Sequence, residues 1–130
     1  MNSGEQGVVS KRILVVDDDP DIRQVLQDRL NSYGYLVETA INGREALDAL
    51  NRNTFDGMVL DIRMPEIDGI EVLRQTRKTH PALPVVMVTA STVRNSVIEA
   101  MGVGAQAYLL KPFDAVQLKQ AVERWIGPAG

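Results

Sequence analysis

The chain has 130 residues, 45% hydrophobic and 24% charged, with a formal net charge of −3, figures that suit one soluble globular domain with a real core. It has no cysteine, which removes disulfide frameworks, thiolate nucleophiles and zinc–thiolate sites; its one histidine, His80, excludes a multi-histidine metal centre. The negative balance argues against a broad nucleic-acid footprint, and no apolar run reaches the roughly 18 residues of a membrane span.

Residues 1–10 are polar and Gly-containing, are expected to be flexible, and lack the apolar stretch of a secretory signal; a cytoplasmic protein is expected. Ile13-Leu14-Val15-Val16 reads as a strand buried on both sides and runs into Asp17-Asp18-Asp19. Pro20 opens a first helix, with Asp19 as its cap. Its apolar stripe is Ile22, Val25, Leu26 and Leu30, with the Arg29 stem at the margin, and Gly34 follows as a C-terminal cap. Tyr35-Leu36-Val37-Glu38-Thr39 carries an acid and is read as an edge strand. Ala46, Leu47 and Leu50 mark a second helix, and Met58-Val59-Leu60 is a strand ending in Asp61. Ile70, Leu73 and Thr76 mark the third helix, before the strand Val85-Val86-Met87-Val88 that ends at Thr89. Val93, Val97, Ala100 and Met101 mark the fourth helix, with Gly102 and Gly104 read as its C-terminal caps. Tyr108-Leu109-Leu110 ends at Lys111-Pro112, and Asp114 caps a fifth helix striped by Leu118, Ala121, Val122 and Trp125. The expected domain is 11–127, with 128–130 a C-terminal tail and no room for a further domain. Five alternations of strand and helix predict an α/β fold, a flavodoxin-like doubly wound five-stranded parallel sheet in the order 2-1-3-4-5 with five flanking helices.

In such a sheet the groups that end the strands share the crevice where ligands bind. Asp17 and Asp18 after the first strand and Asp61 after the third fall on neighbouring strands, about 5 Å apart. Three carboxylates so close repel one another by several kcal/mol at low effective dielectric (about 20), so a proton or a cation must offset them. Oxygen ligands without histidine or cysteine select a hard ion, and a shallow water-open site suits Mg²⁺. A carboxylate screened by metal can attack phosphorus, and Asp61 is the best candidate because it stands between the other strand ends. Thr89 can donate to a phosphoryl oxygen, and Lys111 can pair with another. Singly these signals are weak, since a strand-end threonine and a Lys-Pro turn are ordinary; their shared location raises them. His80, in a polar loop at the opposite end, is read as a surface histidine rather than a phosphodonor.

The stretches ILVVDDDP, FDGMVLDIRMPEIDG, PVVMVTA and GAQAYLLKPF resemble, in order and spacing, the receiver domain of two-component response regulators, over nearly the whole chain. The resemblance implies that Asp61 is the phosphoaspartate site and that Asp17, Asp18, Asp61 and the backbone carbonyl of Arg63 hold Mg²⁺. It implies that Lys111 contacts the phosphoryl through a loop with a cis bond to Pro112, and that Thr89 and Tyr108 rearrange on phosphorylation to alter the surface of the fourth helix, fifth strand and fifth helix. Arg63 and Ser91 occupy positions that tune phosphoaspartate hydrolysis in this family, and Gln106-Ala107 stands where an acid is frequent. The partners implied are a sensor histidine kinase or histidine phosphotransfer protein and a downstream protein target. No direct nucleic-acid or membrane contact is implied, and a phosphorylation-dependent homodimer is left open. Catalysis would be limited to the domain's own phosphorylation and dephosphorylation. Two alternatives stand beside this: a haloacid-dehalogenase-like Mg²⁺ phosphatase using the Asp17-x-Asp19 pair, and an unphosphorylated pseudo-receiver that only binds.

Overall fold

A computed structural model describes residues 10–90 and 94–130. Its elements alternate throughout: β1 (Arg12–Val16), α1 (Pro20–Ser32), β2 (Leu36–Ala40), α2 (Gly43–Arg52), β3 (Gly57–Leu60), α3 (Gly69–Thr79), β4 (Val85–Thr89), α4 (Arg94–Val103), β5 (Ala107–Leu110) and α5 (Ala115–Trp125). All strand pairs are parallel and the order is β2-β1-β3-β4-β5, the order expected from the sequence. Among the described residues no helix is long and apolar enough to cross a membrane.

The period of two along each strand divides the core into two layers. Leu14, Val16, Met58, Leu60, Val85 and Met87 meet α2, α3 and α4 through Ala49, Leu73 and Ala100. Ile13, Val15, Val59, Val86 and Val88 meet α1 and α5 through Leu26, Leu30, Leu118 and Val122. Each of these large apolar side chains contributes about 1.5–3 kcal/mol by leaving water. Both faces of the three central strands are therefore covered, which is why their sequences read as unbroken apolar runs. On the edge strand β2, Glu38 is tolerated because its carboxylate accepts from Asn53 at 2.9 Å.

Helix starts follow the local chemistry. Asp19 accepts from the amides of Asp21 and Ile22 ahead of Pro20, and Asp114 forms a reciprocal capping box with Gln117 at the start of α5. Gly34 and Gly104 adopt positive φ of 102° and 114°, as C-terminal caps require. Gly102, read as a cap, instead lies inside α4, which runs on to Val103. Three residues assigned to apolar stripes stand partly in water: Val25 (39% exposed), Met101 (43%) and Trp125 (40%). The Trp125 ring is covered by the Arg124 guanidinium, 5.0 Å from its centroid. Val93 and Ser91, as well as residues 1–9 of the N-terminal segment, lie outside the described residues.

The C-terminal residues turn back onto the start of the sheet. Lys11 donates its backbone N–H to the Ala129 carbonyl at 2.8 Å, and the Tyr35 hydroxyl donates to the Gly127 carbonyl at 2.5 Å. Ala129 packs against the α1–α5 layer.

Candidate functional site

Beyond the last paired residues of β1, β3 and β5 the chain is held by one more backbone hydrogen bond, so the polar group that follows is placed by the sheet. The Asp17 amide donates to the Ala40 carbonyl at 3.2 Å, the Asp61 amide to the Val16 carbonyl at 3.0 Å, and the Lys111 amide to the Thr89 carbonyl at 2.9 Å. Asp17 (1% exposed), Asp61 (5%) and Thr89 (0%) are three of the four buried polar or charged residues among those described. The fourth, Thr76, simply returns its hydroxyl to the Val72 carbonyl at 2.8 Å.

Carboxylate oxygens of Asp17, Asp18 and Asp61 all lie within 4.8 Å of one another. Lys111 bridges the two buried acids, its Nζ donating to Asp17 Oδ2 at 2.7 Å and to Asp61 Oδ2 at 3.2 Å. The second oxygens are also held: Asp17 Oδ1 accepts from the Asp19 amide at 2.9 Å and Asp61 Oδ1 from the Arg63 amide at 3.4 Å. Burial is the largest influence on Asp17 and raises its pKa above the usual carboxylate value, with the Asp61 charge adding to it and the Lys111 bond opposing. For Lys111, burial alone would lower the pKa, but the bonds and charges of Asp17 and Asp61 outweigh it and the ammonium is raised. The resting pocket thus contains a fixed cation and an excess of anionic oxygen. That donor set, all oxygen and partly open to water through the exposed Asp18, fits a hard divalent cation.

The β3–α3 loop completes the rim. Its backbone passes through a left-handed conformation at Glu66, φ 69°, and closes with the Gly69 amide on the Ile62 carbonyl at 2.7 Å. Gly69 is required by contact: a Cβ there would lie 1.9 Å from the Asp61 carbonyl oxygen and 2.7 Å from its carbon. A cleft of about 550 Å³ opens beside the acids, lined by Asp18, Arg63, Met64, Pro65, Asp68 and Ser96. Tyr108 is half-buried and packs against the layer formed with α2, α3 and α4. The register Met87↔Tyr108 and Thr89↔Leu110, with alternation along β4 and β5, puts Thr89 and Tyr108 on the same sheet face. The Lys111–Pro112 bond is cis.

Sequence-derived candidates Asp17, Asp18, Asp61 and Lys111 therefore converge, with Thr89 at the adjoining strand end. Asp19 does not join them and serves as a helix cap. His80 caps the end of α3 and its Nδ1 lies 2.8 Å from the Thr79 hydroxyl. Two contributors escape sequence reasoning. Gly69 is one, for its role is steric and lies in the backbone of another segment. The other is Arg23, whose Nη1 donates to the Asp17 carbonyl at 2.9 Å; an arginine on a polar helix face gives no signal of that contact.

Comparison with known proteins agrees with this geometry. A family model described as the response regulator receiver domain matches residues 13–123. Response regulator MprA of Mycolicibacterium vanbaalenii is 45% identical over 107 residues, which is 82% of this chain and 46% of MprA. The chain thus spans about half the length of that curated relative. Among solved structures, a CheY-like receiver domain protein from Methanospirillum hungatei superposes with a TM-score of 0.86 at 31% identity, covering 88% of this chain and 92% of that one. Response regulator TrrA from Thermotoga maritima, solved in complex with Mg²⁺–BeF, gives a TM-score of 0.81 at 38% identity, covering 88% and 97%. With its motifs, strand order and acidic pocket in agreement, the chain belongs to the response regulator receiver domain family.

Proposed function

We propose that this chain is a phosphoacceptor signalling module in which Asp61 takes a phosphoryl group from a phosphohistidine protein, in a Mg²⁺-dependent reaction. The observation that carries the reading is the convergence of three carboxylates at the C-terminal edge of the sheet, the two buried ones bridged by Lys111. Asp17, Asp18, Asp61 and the Arg63 carbonyl would hold Mg²⁺, which when bound supplies charge screening for the incoming phosphoryl oxygens. An Asp61 carboxylate oxygen attacks phosphorus; a P–O bond forms, the P–N bond of the donor breaks, and its electron pair returns to the imidazole nitrogen. Lys111, already beside Asp61, pairs with one phosphoryl oxygen, and the Thr89 hydroxyl donates to another. Turnover is limited to the domain's own phosphorylation and dephosphorylation.

The donor is a sensor histidine kinase or a histidine phosphotransfer protein, and the output is a changed affinity for a downstream protein. Movement of Thr89 toward the phosphoryl group vacates space on the face it shares with Tyr108, which remodels the α4–β5–α5 surface. That surface also carries any phosphorylation-dependent homodimer, and no direct nucleic-acid contact is part of this reading. A donor charged from ATP works in the cytoplasm, the compartment proposed.

The phosphatase alternative is disfavoured, because Asp19 caps α1 through Oδ1 and the acid that joins Asp17 in the pocket is Asp18. The test is labelling by acetyl phosphate with Mg²⁺. Wild-type chain should gain one phosphoryl group and Asp61→Asn none; undiminished labelling of that variant overturns the assignment. Multiple-turnover hydrolysis of an unrelated phosphomonoester would restore the phosphatase.

A further inference from the structure

Asp18 differs from the other two acids of the pocket. Asp17 and Asp61 are buried and anchored through both carboxylate oxygens. Asp18 is exposed, and among the described residues its carboxylate has no hydrogen-bond or ion-pair partner, yet it lies within 4.8 Å of the other two. With no side-chain partner to hold it, its carboxylate reaches the pocket only from where the main chain sets the Asp18 Cα–Cβ bond, and the peptide plane joining Asp17 to Asp18 bears on that placement. The oxygen of that plane is the Asp17 carbonyl, and it accepts from Arg23 Nη1 at 2.9 Å.

We infer that Arg23 is a positioning residue for the metal pocket, holding the Asp17–Asp18 peptide so that the free carboxylate of Asp18 points at the other two. The inference rests on the Mg²⁺ pocket proposed above. Arg23 is well placed to act this way. Its own amide donates to the Asp19 carbonyl at 3.0 Å as α1 begins, so its side chain reaches back six residues from a rigid helical turn. The Asp19 amide is tied to Asp17 Oδ1, and the Asp19 carboxylate caps the same helix. The loop is thereby closed at Asp17 and Asp19, leaving Asp18 as the projecting residue between them. A planar guanidinium suits the task because it fixes the direction of a carbonyl as well as its distance.

The direction of the effect separates positioning from simple electrostatics. A guanidinium near a divalent cation repels it, so loss of charge alone would tighten Mg²⁺ binding; loss of positioning weakens it. The experiment is calorimetric titration of the full chain with MgCl₂, alongside thermal unfolding in EDTA. Arg23→Met should weaken Mg²⁺ about tenfold, the scale seen when groups supporting metal ligands are removed, and Arg23→Lys should recover part of the loss. In ¹H–¹⁵N spectra recorded without metal, the Asp18 amide should move in Arg23→Met while the α5 amides stay in place. Affinity unchanged or tightened in a folded Arg23→Met chain overturns the role of Arg23 and leaves the pocket intact. A wild-type chain that takes up no Mg²⁺ at millimolar concentration overturns the pocket, and this inference with it.

Discussion

Replacing Lys111 with methionine tests the electrostatic account of the resting site more directly than removal of any acid. The side chain keeps its length and apolar stem but loses the ammonium that bridges Asp17 at 2.7 Å and Asp61 at 3.2 Å. At an effective dielectric of about 20, each contact is worth about 5–6 kcal/mol before desolvation is charged against it. Lys111 is only 15% exposed and its partners less, so desolvation offsets much of that, and the net cost of stranding buried charge is about 3–5 kcal/mol. For a chain of this size that corresponds to a fall in Tm of about 10 °C or more. The fall should be measured in EDTA. Adding 10 mM Mg²⁺ should then raise the Tm of the variant by more than it raises the wild type, because a metal binding only the native state now also relieves unscreened carboxylates. Phosphorylation by acetyl phosphate should drop sharply in the same variant. A Lys111→Met chain as stable as wild type in EDTA, or one whose Mg²⁺ shift is no larger, would refute the idea that lysine and metal share the neutralisation of these acids.

Three further outcomes follow from named contacts. Gly69→Ala must open the 1.9 Å approach to the Asp61 carbonyl by more than 1 Å, so unfolding by urea should show a loss of about 1–3 kcal/mol and labelling by acetyl phosphate a fall of about 100-fold; near-wild-type values in both would show that the loop yields freely. Thr89→Ala should keep Mg²⁺ affinity and still be labelled, while NMR of the beryllofluoride-treated chain should lack the Tyr108 shifts that wild type displays. Asp114→Ala removes the capping box of α5 and should cost about 1 kcal/mol in urea unfolding, without altering Mg²⁺ titrations.

How much of this was legible in the sequence depended on whether the signal was local. Continuous apolar runs such as Val85-Val86-Met87-Val88 announce strands covered on both faces, and helix caps such as Asp19 and Asp114 act within three or four residues of themselves. Strand-end acids can be assigned to one crevice once the topology is known, because a parallel α/β sheet puts all its strand C-termini on one edge. Helix amphipathicity was less reliable at its margins: Val25, Met101 and Trp125 obey the 3.6-residue spacing, yet they stand about 40% exposed. What escaped altogether were contacts made by backbone atoms. The need for glycine at position 69 comes from a carbonyl eight residues earlier, and Arg23 grips a peptide oxygen whose identity no side-chain alphabet records.

The charges of the pocket also explain why the chemistry should switch the domain rather than merely mark it. Three carboxylates against the single ammonium of Lys111 leave two negative charges, the amount one Mg²⁺ cancels, so the metal-loaded resting site is close to neutral. In the proposed transfer Asp61 would exchange a monoanionic carboxylate for an acyl phosphate, a mixed anhydride with a dianionic phosphoryl group, a gain of one negative charge in a setting where Asp17 is fully buried. Among the described residues, the bonds around Asp17 and Asp61 supply no cationic side chain beyond Lys111, which the two already share. In the proposed mechanism the new charge would be met by reorienting neutral donors, with Thr89, at the adjoining strand end, as the hydroxyl that turns. Because Thr89 and Tyr108 share a sheet face, the proposed mechanism would convert that local electrostatic demand into a change of packing beneath α4.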